Sequence, residues 1–194
     1  MTKATEQDDA ALVEEALAGE ERSFSALMRR HKEDLYRFIR LYVGDRGEAY
    51  DLLQEAFVAA WRNLNQYDSG RPFRAWLRGV ALNKCRDWAR RRKVRQFFYF
   101  ATDIETAGRH VPAPEPNSER LQYEEQMEQL EAAIATLPDG LKAPLLLTVI
   151  EGHSHKEAGF ILGLSAKAVE VRVYRAKMAL KQAIAKRETP KDTH

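Results

Sequence analysis

Apolar positions recur with helical period along most of the chain, and no segment alternates as a half-buried strand would. The spacing predicts a short helix from Asp9 to Ala18, ended by Gly19. A longer one, from about Glu21 to Val43, carries Phe24, Leu27, Met28, Leu35, Phe38, Ile39 and Tyr42, and Gly44 and Gly47 break it. Glu48 to Leu64 is the third helix. A loop follows, Asn65-Gln-Tyr-Asp-Ser-Gly-Arg-Pro72, and then a helix from Phe73 to about Lys93.

The pattern changes after Arg95. Residues 101–119 hold Gly108, Pro112, Pro114 and Pro116 with few large apolar side chains. Such alternating prolines favour polyproline geometry, so this stretch reads as a partly extended linker. A second helical block starts near Ser118 and runs to about Thr136, where Leu137-Pro138-Asp139-Gly140 interrupts it. Three further helices are expected at 141–151, 154–162 and 165 to about 186. The expected fold is all-α: two small helical domains, 9–95 and 120–187, joined by a flexible linker over 96–119.

With 194 residues, 44% of them hydrophobic and 31% charged, the chain can fold but has no surplus core. No run of about 18 apolar residues is present, so membrane insertion is not expected. The start of the chain lacks a basic-then-apolar export pattern, and a single cysteine, Cys85, suits a reducing compartment. A cytoplasmic location is therefore expected. The net charge of +2 hides an uneven distribution. Residues 1–60 hold 13 acidic and 8 basic side chains. Residues 84–95 hold 7 basic side chains against Asp87 alone, and residues 165–187 hold 7 against Glu170 alone. Two separated basic segments suit two contacts with a polyanion, since each neutralised phosphate releases counterion.

The C-terminal basic segment lies in SHKEAGFILGLSAKAVEVRVYRAKMAL, which has helix-turn-helix spacing. Ala158, Leu162, Leu164 and Val169 fall where two helices would bury apolar contacts. Gly159 is small where they would cross, Gly163 supplies a left-handed turn, and Ser165 caps the second helix. Val169, Val173, Ala176, Leu180 and Ile184 form one buried stripe along that helix. Its opposite face offers Lys167, Val171, Tyr174, Arg175 and Met178, flanked by Glu170 and Arg172. Such a mixture suits a major groove, where apolar groups meet thymine methyls and cations take guanine edges or phosphates. Docking to a partner protein would explain the same mixture.

In the other basic segment, RPFRAWLRGVALNKCRDWARRRKVR, the residues Phe73, Leu77, Val80, Ala81, Cys85 and Trp88 share a face. Cys85 thus reads as a small core residue. Asn83, Arg86 and Arg90 lie on the other side, with Lys84 and Arg91 adjacent, a set able to address base edges and phosphates. Upstream, Tyr67, Asp68, Ser69 and Gly70 could stack on or hydrogen-bond an extruded base, or simply form an interhelical loop. Asp51, Gln54 and Glu55 share one face of the preceding helix beside Leu52, Leu53, Ala56, Phe57 and Trp61. No metal-ligand set accompanies these carboxylates, and the face suits docking to a basic protein surface. No phosphate-binding glycine loop, HExxH, CxxC or nucleophile elbow occurs, so an enzyme is not expected, nor a cofactor or metal. His153 and His155 read as surface histidines.

Taken in order, these segments resemble the extracytoplasmic-function (group 4) sigma factors of bacterial RNA polymerase. DLLQEAFVAAWRNL and FRAWLRGVALNKCRDWARRR are similar to that family's sigma-2 helices. LPDGLKAPLLLTVIEGHSHKEAGFILGLSAKAVEVRVYRAKMAL is similar to its sigma-4 domain. The resemblance spans roughly residues 9–186. It implies that Asp51, Gln54 and Glu55 bind the coiled coil of the largest polymerase subunit. It also implies that the loop from Tyr67 to Arg74, including Asp68 and Ser69, captures a flipped base of the minus-ten element. Asn83 with Lys84, Arg86 and Arg90 would touch the upstream part of that element. Lys167, Glu170, Val171, Arg172, Tyr174 and Arg175 would read the minus-thirty-five element. Core polymerase, promoter DNA and an anti-sigma factor are the partners this implies. Glu170 stands where many relatives carry a cation, and His155 and Gly159 replace an aromatic residue and an alanine, which implies looser packing of the motif. The alternative is a conventional helix-turn-helix regulator that binds duplex DNA without polymerase, which leaves the first half of the chain unexplained.

Overall fold

Local stop and start signals set the helices. The structure, a computed structural model, describes residues 2–100, 127 and 129–188, and among these no strand occurs. Helices α1 (Thr2–Leu17), α2 (Glu21–Val43) and α3 (Arg46–Arg62) are followed by a 3-10 turn (Leu64–Gln66) and α4 (Phe73–Phe100). Then come α5 (129–136), α6 (Asp139–Leu145) running into a π-helical turn (Leu146–Ile150), α7 (His155–Leu162) and α8 (Ala166–Glu188). Gly44 ends α2 at φ +77°, its N–H returning to the Arg40 carbonyl at 2.8 Å, and Asp45 then caps α3 by accepting from the Glu48 N–H at 2.9 Å.

Several boundaries differ from expectation. Helix α1 begins at Thr2, well before Asp9. Helix α4 continues to Phe100, so the first residues of the expected 96–119 linker are helical; Gln96-Phe-Phe-Tyr-Phe100 contains no glycine or proline to stop it. The expected 141–151 helix is interrupted in character. Pro144 sits inside α6 and lacks an N–H, and the backbone beyond it widens to π geometry, Glu151 donating to the Leu146 carbonyl at 3.0 Å. Residues 101–119, and the expected helix start near Ser118, lie outside the described residues.

Helices α1–α4 form one bundle and α5–α8 a second; the second buries a small cluster of its own, Leu137, Leu145 and Ala176, but the main core is shared. A single cluster runs from Val13 through Tyr42, Leu52, Leu77 and Cys85 to Leu146, Leu147, Ala158 and Val169. Lys142 of α6 is buried at the seam, its ammonium donating to the Tyr42 carbonyl at 2.9 Å and the Ala135 carbonyl at 2.8 Å. Those carbonyls belong to the last turns of α2 and α5, where a cation meets the negative ends of two helix dipoles. Burial lowers the pKa of that ammonium, with the charge of Asp139 opposing. Close approach here requires Gly44, because a Cβ on it would stand 2.7 Å from the Ala135 Cβ.

The helix-turn-helix forms as its residues suggest. Ser154 and Glu157 make a reciprocal capping box at the start of α7. Gly163 turns the chain at φ +67°, and the Ser165 hydroxyl accepts from the Ala168 N–H at 3.1 Å. Gly159 is a tight crossing point rather than a looser one, since a Cβ there would lie 2.6 Å from the Leu164 carbonyl oxygen.

Candidate nucleic-acid and polymerase interface

On α8, burying Val169, Val173 and Ala176 turns the intervening residues outward. Lys167, Glu170, Val171, Tyr174 and Arg175 are exposed and Arg172 is half-buried. Tyr174 is 67% exposed and Met178 45%, large apolar groups set among cations. Lys167 donates to Glu170 at 2.9 Å, which lowers the Glu170 pKa and leaves part of that face charge-neutral.

Helix α4 is divided the same way. Phe73, Leu77, Ala81, Leu82, Cys85 and Trp88 are buried, and Asn83, Arg90 and Arg91 are exposed, with Lys84 and Arg86 half-buried. Burial pushes the Cys85 thiol up to about 12, which fits a core group and not a nucleophile. Arg90 is tied to Asp87 one turn earlier. The exposed residues Asp51, Gln54 and Glu55 line a shallow surface on α3 together with Lys84 of α4, which lies 3.6 Å from Glu55. Two of the expected surfaces, the one for polymerase and the one for the upstream minus-ten element, are therefore adjacent.

The loop before α4 is folded on itself. The Tyr67 ring packs edge-on against Phe73 and tilted against Trp76, and its hydroxyl donates to the Arg71 carbonyl. Asp68 accepts from the Gly70 N–H at 3.0 Å and from Arg71 Nε at 2.9 Å, while Ser69 is exposed. Tyr67 and Asp68 thus hold the loop's shape, and Ser69 with the exposed turn forms its free tip.

The sequence reading did not single out Arg78 or Glu151, which join the two halves. Arg78 has no exposed surface, and its Nε donates to Glu151 Oε2 at 2.7 Å. Arg74, expected to contact DNA, donates to the same oxygen at 2.9 Å and to the Glu151 carbonyl at 3.1 Å. Burial alone would raise the Glu151 carboxyl, but the hydrogen bonds and charges of Arg78 and then Arg74 outweigh it and hold the pKa below the ordinary carboxylate range. Burial and the nearby Arg74 lower the pKa of His153, beside the same group. A signal was present: Arg78 lies within the buried stripe of α4, and a buried arginine requires an anion.

Comparison with known proteins identifies the family and agrees with the fold. The family model described as Sigma-70 region 2 matches residues 27–95, and Sigma-70, region 4 matches 127–180. The RNA polymerase sigma factor CnrH of Cupriavidus metallidurans is 38% identical over 179 residues, covering 90% of this chain and 93% of CnrH. The ECF RNA polymerase sigma factor SigE of Mycolicibacterium smegmatis is 32% identical over 165 residues, covering 84% of this chain and 62% of SigE. Among solved structures, CnrH in complex with the cytosolic domain of CnrY superimposes with a TM-score of 0.66 at 30% identity, covering 94% of this chain and 99% of that one. The sigma factor RpoE in complex with the anti-sigma factor NepR from Bartonella quintana shares the fold, with a TM-score of 0.66 at 21% identity. Two helical domains matching regions 2 and 4 of the Sigma-70 models define a promoter-recognition subunit of RNA polymerase. The chain belongs to the sigma-70 family, as a sigma factor of the extracytoplasmic-function type.

The Glu151 pair makes stability depend on pH. Its carboxyl titrates lower in the folded chain than unfolded, so the stabilisation is complete above the ordinary glutamate value of about 4.3 and is lost as pH falls through the depressed folded value. Urea unfolding at about pH 6 and about pH 4 should show a larger loss of stability for the native chain than for Glu151→Gln. Equal losses would contradict the pairing.

Proposed function

We propose that this sigma factor divides its contacts by surface. Residues 9–95 dock on core polymerase and bind the opened minus-ten element, and residues 120–187 read duplex DNA at the minus-thirty-five element. The observation that carries the reading is the outward face of α8, where Val171, Tyr174 and Arg175 stand exposed beside Lys167 while Val169 and Val173 hold the helix in the core. An α-helix laid in the major groove presents such a face to base edges. Arg172 and Arg175 can take phosphates or guanine edges, and Glu170 can accept from cytosine, although its pairing with Lys167 must then rearrange.

In the first half, Asp51, Gln54 and Glu55 offer the exposed acidic face for polymerase, with complementary charge setting orientation. Asn83, Lys84, Arg86 and Arg90 face the upstream minus-ten element. The loop bearing Tyr67, Asp68, Ser69 and Arg74 receives the flipped base, and capturing it offsets part of the few kcal/mol, on the order of one unstacked step, that strand opening costs. Tethering the two domains makes the second DNA contact intramolecular. The chain acts as a polymerase subunit and not as a catalyst, in the cytoplasm. Among the described residues no helix is long and apolar enough to cross a membrane, which is compatible with that location. A conventional duplex-binding regulator would leave the acidic face of α3 and the match to region 2 without a role.

Regulation by an anti-sigma factor follows the relatives: CnrH has been solved with the cytosolic domain of CnrY, and RpoE with NepR. Purification of the chain from its own host should bring down a stoichiometric protein that blocks its transcription; full activity of the chain as isolated from uninduced cells would count against one.

Arg175→Ala should weaken binding to upstream duplex by roughly 1–3 kcal/mol, about tenfold to a hundredfold, and leave the affinity for core polymerase unchanged. Asp51→Ala combined with Glu55→Ala should show the reverse. Titration of labelled core and of labelled promoter duplex separates the two effects, and a loss of both in either variant would break the proposed division.

A further inference from the structure

Glu170 is the one acidic side chain between residues 165 and 187, and it stands on the face of α8 assigned to duplex DNA. A groove flanked by phosphates disfavours an anion. Folding does not account for the residue, since the side chains of Glu170 and Lys167 are 52% and 76% exposed and neither belongs to the core. Their observed contact is with each other, Lys167 Nζ donating to Glu170 Oε2 at 2.9 Å. At about 100° per residue, Lys167, Glu170, Val171 and Tyr174 share an arc of about 100°, opposite the buried Val169, Val173 and Ala176. The ion pair lies in the N-terminal part of α8, the part of a groove-docked recognition helix that meets base edges.

Lys167 makes the carboxylate tolerable in a groove, because the pair arrives without net charge. Such a pair adds little to general phosphate affinity, and what it offers is a pattern. The hydrogen bond and charge of Lys167, with a smaller contribution from His155 on α7, hold the Glu170 carboxyl below the ordinary carboxylate range. Near neutral pH it therefore accepts and does not donate. The bond to Lys167 takes one carboxylate oxygen and one of the ammonium's three donors. One oxygen and two N–H groups are left for a base pair, and the two side chains can turn toward the groove without parting.

An acceptor beside donors is complementary to a donor beside acceptors. A C·G pair supplies that in the major groove, with the cytosine amino group next to guanine O6 and N7. An A·T pair sets the adenine amino group beside thymine O4, but adenine N7 flanks that amino group and repels a carboxylate. Thymine also gives the ammonium one acceptor where guanine gives two. A carboxylate facing guanine or thymine meets only acceptors. Cytosine is thus favoured by attraction, and the other bases are disfavoured by repulsion.

We propose that Lys167 and Glu170 act as one unit that specifies a single C·G pair in the minus-thirty-five element, Glu170 on the cytosine and Lys167 on its guanine. This rests on the reading of α8 as the duplex-reading helix and names what one part of that helix reads.

The test uses holoenzyme assembled from core polymerase and the full chain. It selects from duplexes of a promoter the chain transcribes, randomised across the upstream element, and the bound duplexes are sequenced. Native chain should prefer cytosine at one position by at least about fivefold over each other base. Glutamine pairs with adenine N6 and N7, so Glu170→Gln should move the preference at that position alone from cytosine to adenine. Glu170→Ala should lose the preference there and keep it elsewhere. Lys167→Ala should narrow the gap between C·G and A·T at the same position. Unaltered selection by both Glu170 variants overturns the proposal. So does a change in affinity that is uniform over all duplexes, which would mean that Glu170 acts through charge alone. Native holoenzyme that selects no upstream sequence at all would instead sink the reading of α8 on which the proposal rests.

Discussion

A guanidinium with no exposed surface has to be neutralised, and for Arg78 the neutralising carboxylate comes from the other half of the chain. Much of the tertiary arrangement follows from that pairing. Arg78 lies one residue after Leu77 on the inward stripe of α4, so α4 cannot pack as it does unless Glu151 arrives there. Glu151 is delivered by the π-helical turn after Pro144, which sets where the helix ends and where α7 begins. Removing one member of such a buried pair typically costs about 3–5 kcal/mol, because the other charge is left alone. That is comparable with the whole stability of a small domain.

A second charged group, Lys142, secures the opposite end of the seam by a different means. It satisfies carbonyls at the ends of two helices, which need donors wherever they fall out of solvent. Arg40 and Glu131, 2.7 Å apart, add a partly exposed ion pair nearby, worth little by itself. Between these polar fixings lies the continuous apolar cluster, with Leu146 and Leu147 of the second half fully buried. With 31% of its residues charged, the chain has little apolar surface to spare, and sharing one core between two small bundles is an economical use of it.

The helices and the helix-turn-helix were legible because their signals are local. Gly44, Gly163, Ser165 and the stripe from Val169 to Ala176 each act within a few residues of themselves. The outward faces of α3, α4 and α8 were legible as exposed faces because burying one side of an amphipathic helix leaves the other outside. What could not be read was long-range. Arg74 and Glu151 are 77 positions apart, and Arg71 meets Phe160 across a similar gap. Arg74 looked like one more cation of a basic segment, and only its partner shows that it is engaged. Tyr67 and Asp68 carry an ambiguity of the same kind, since their hydrogen bonds within the loop are also what would hold a base receptor in shape. The extension of α4 to Phe100 was missed because the proline-rich composition beyond it drew the boundary too early.

As a sigma factor, the chain does its work through binding differences, and the proposed division sets polymerase against the α3 face, duplex against α8 and unpaired bases against the loop before α4. The most direct measurement is reconstituted transcription, with the purified chain added to sigma-free core polymerase on fragmented DNA from its own genome. Discrete transcripts that require this chain, starting downstream of paired minus-thirty-five and minus-ten sequences, are the expected result. Absence of such transcripts with an active core, while the chain alone binds duplex DNA tightly and specifically, would contradict the account.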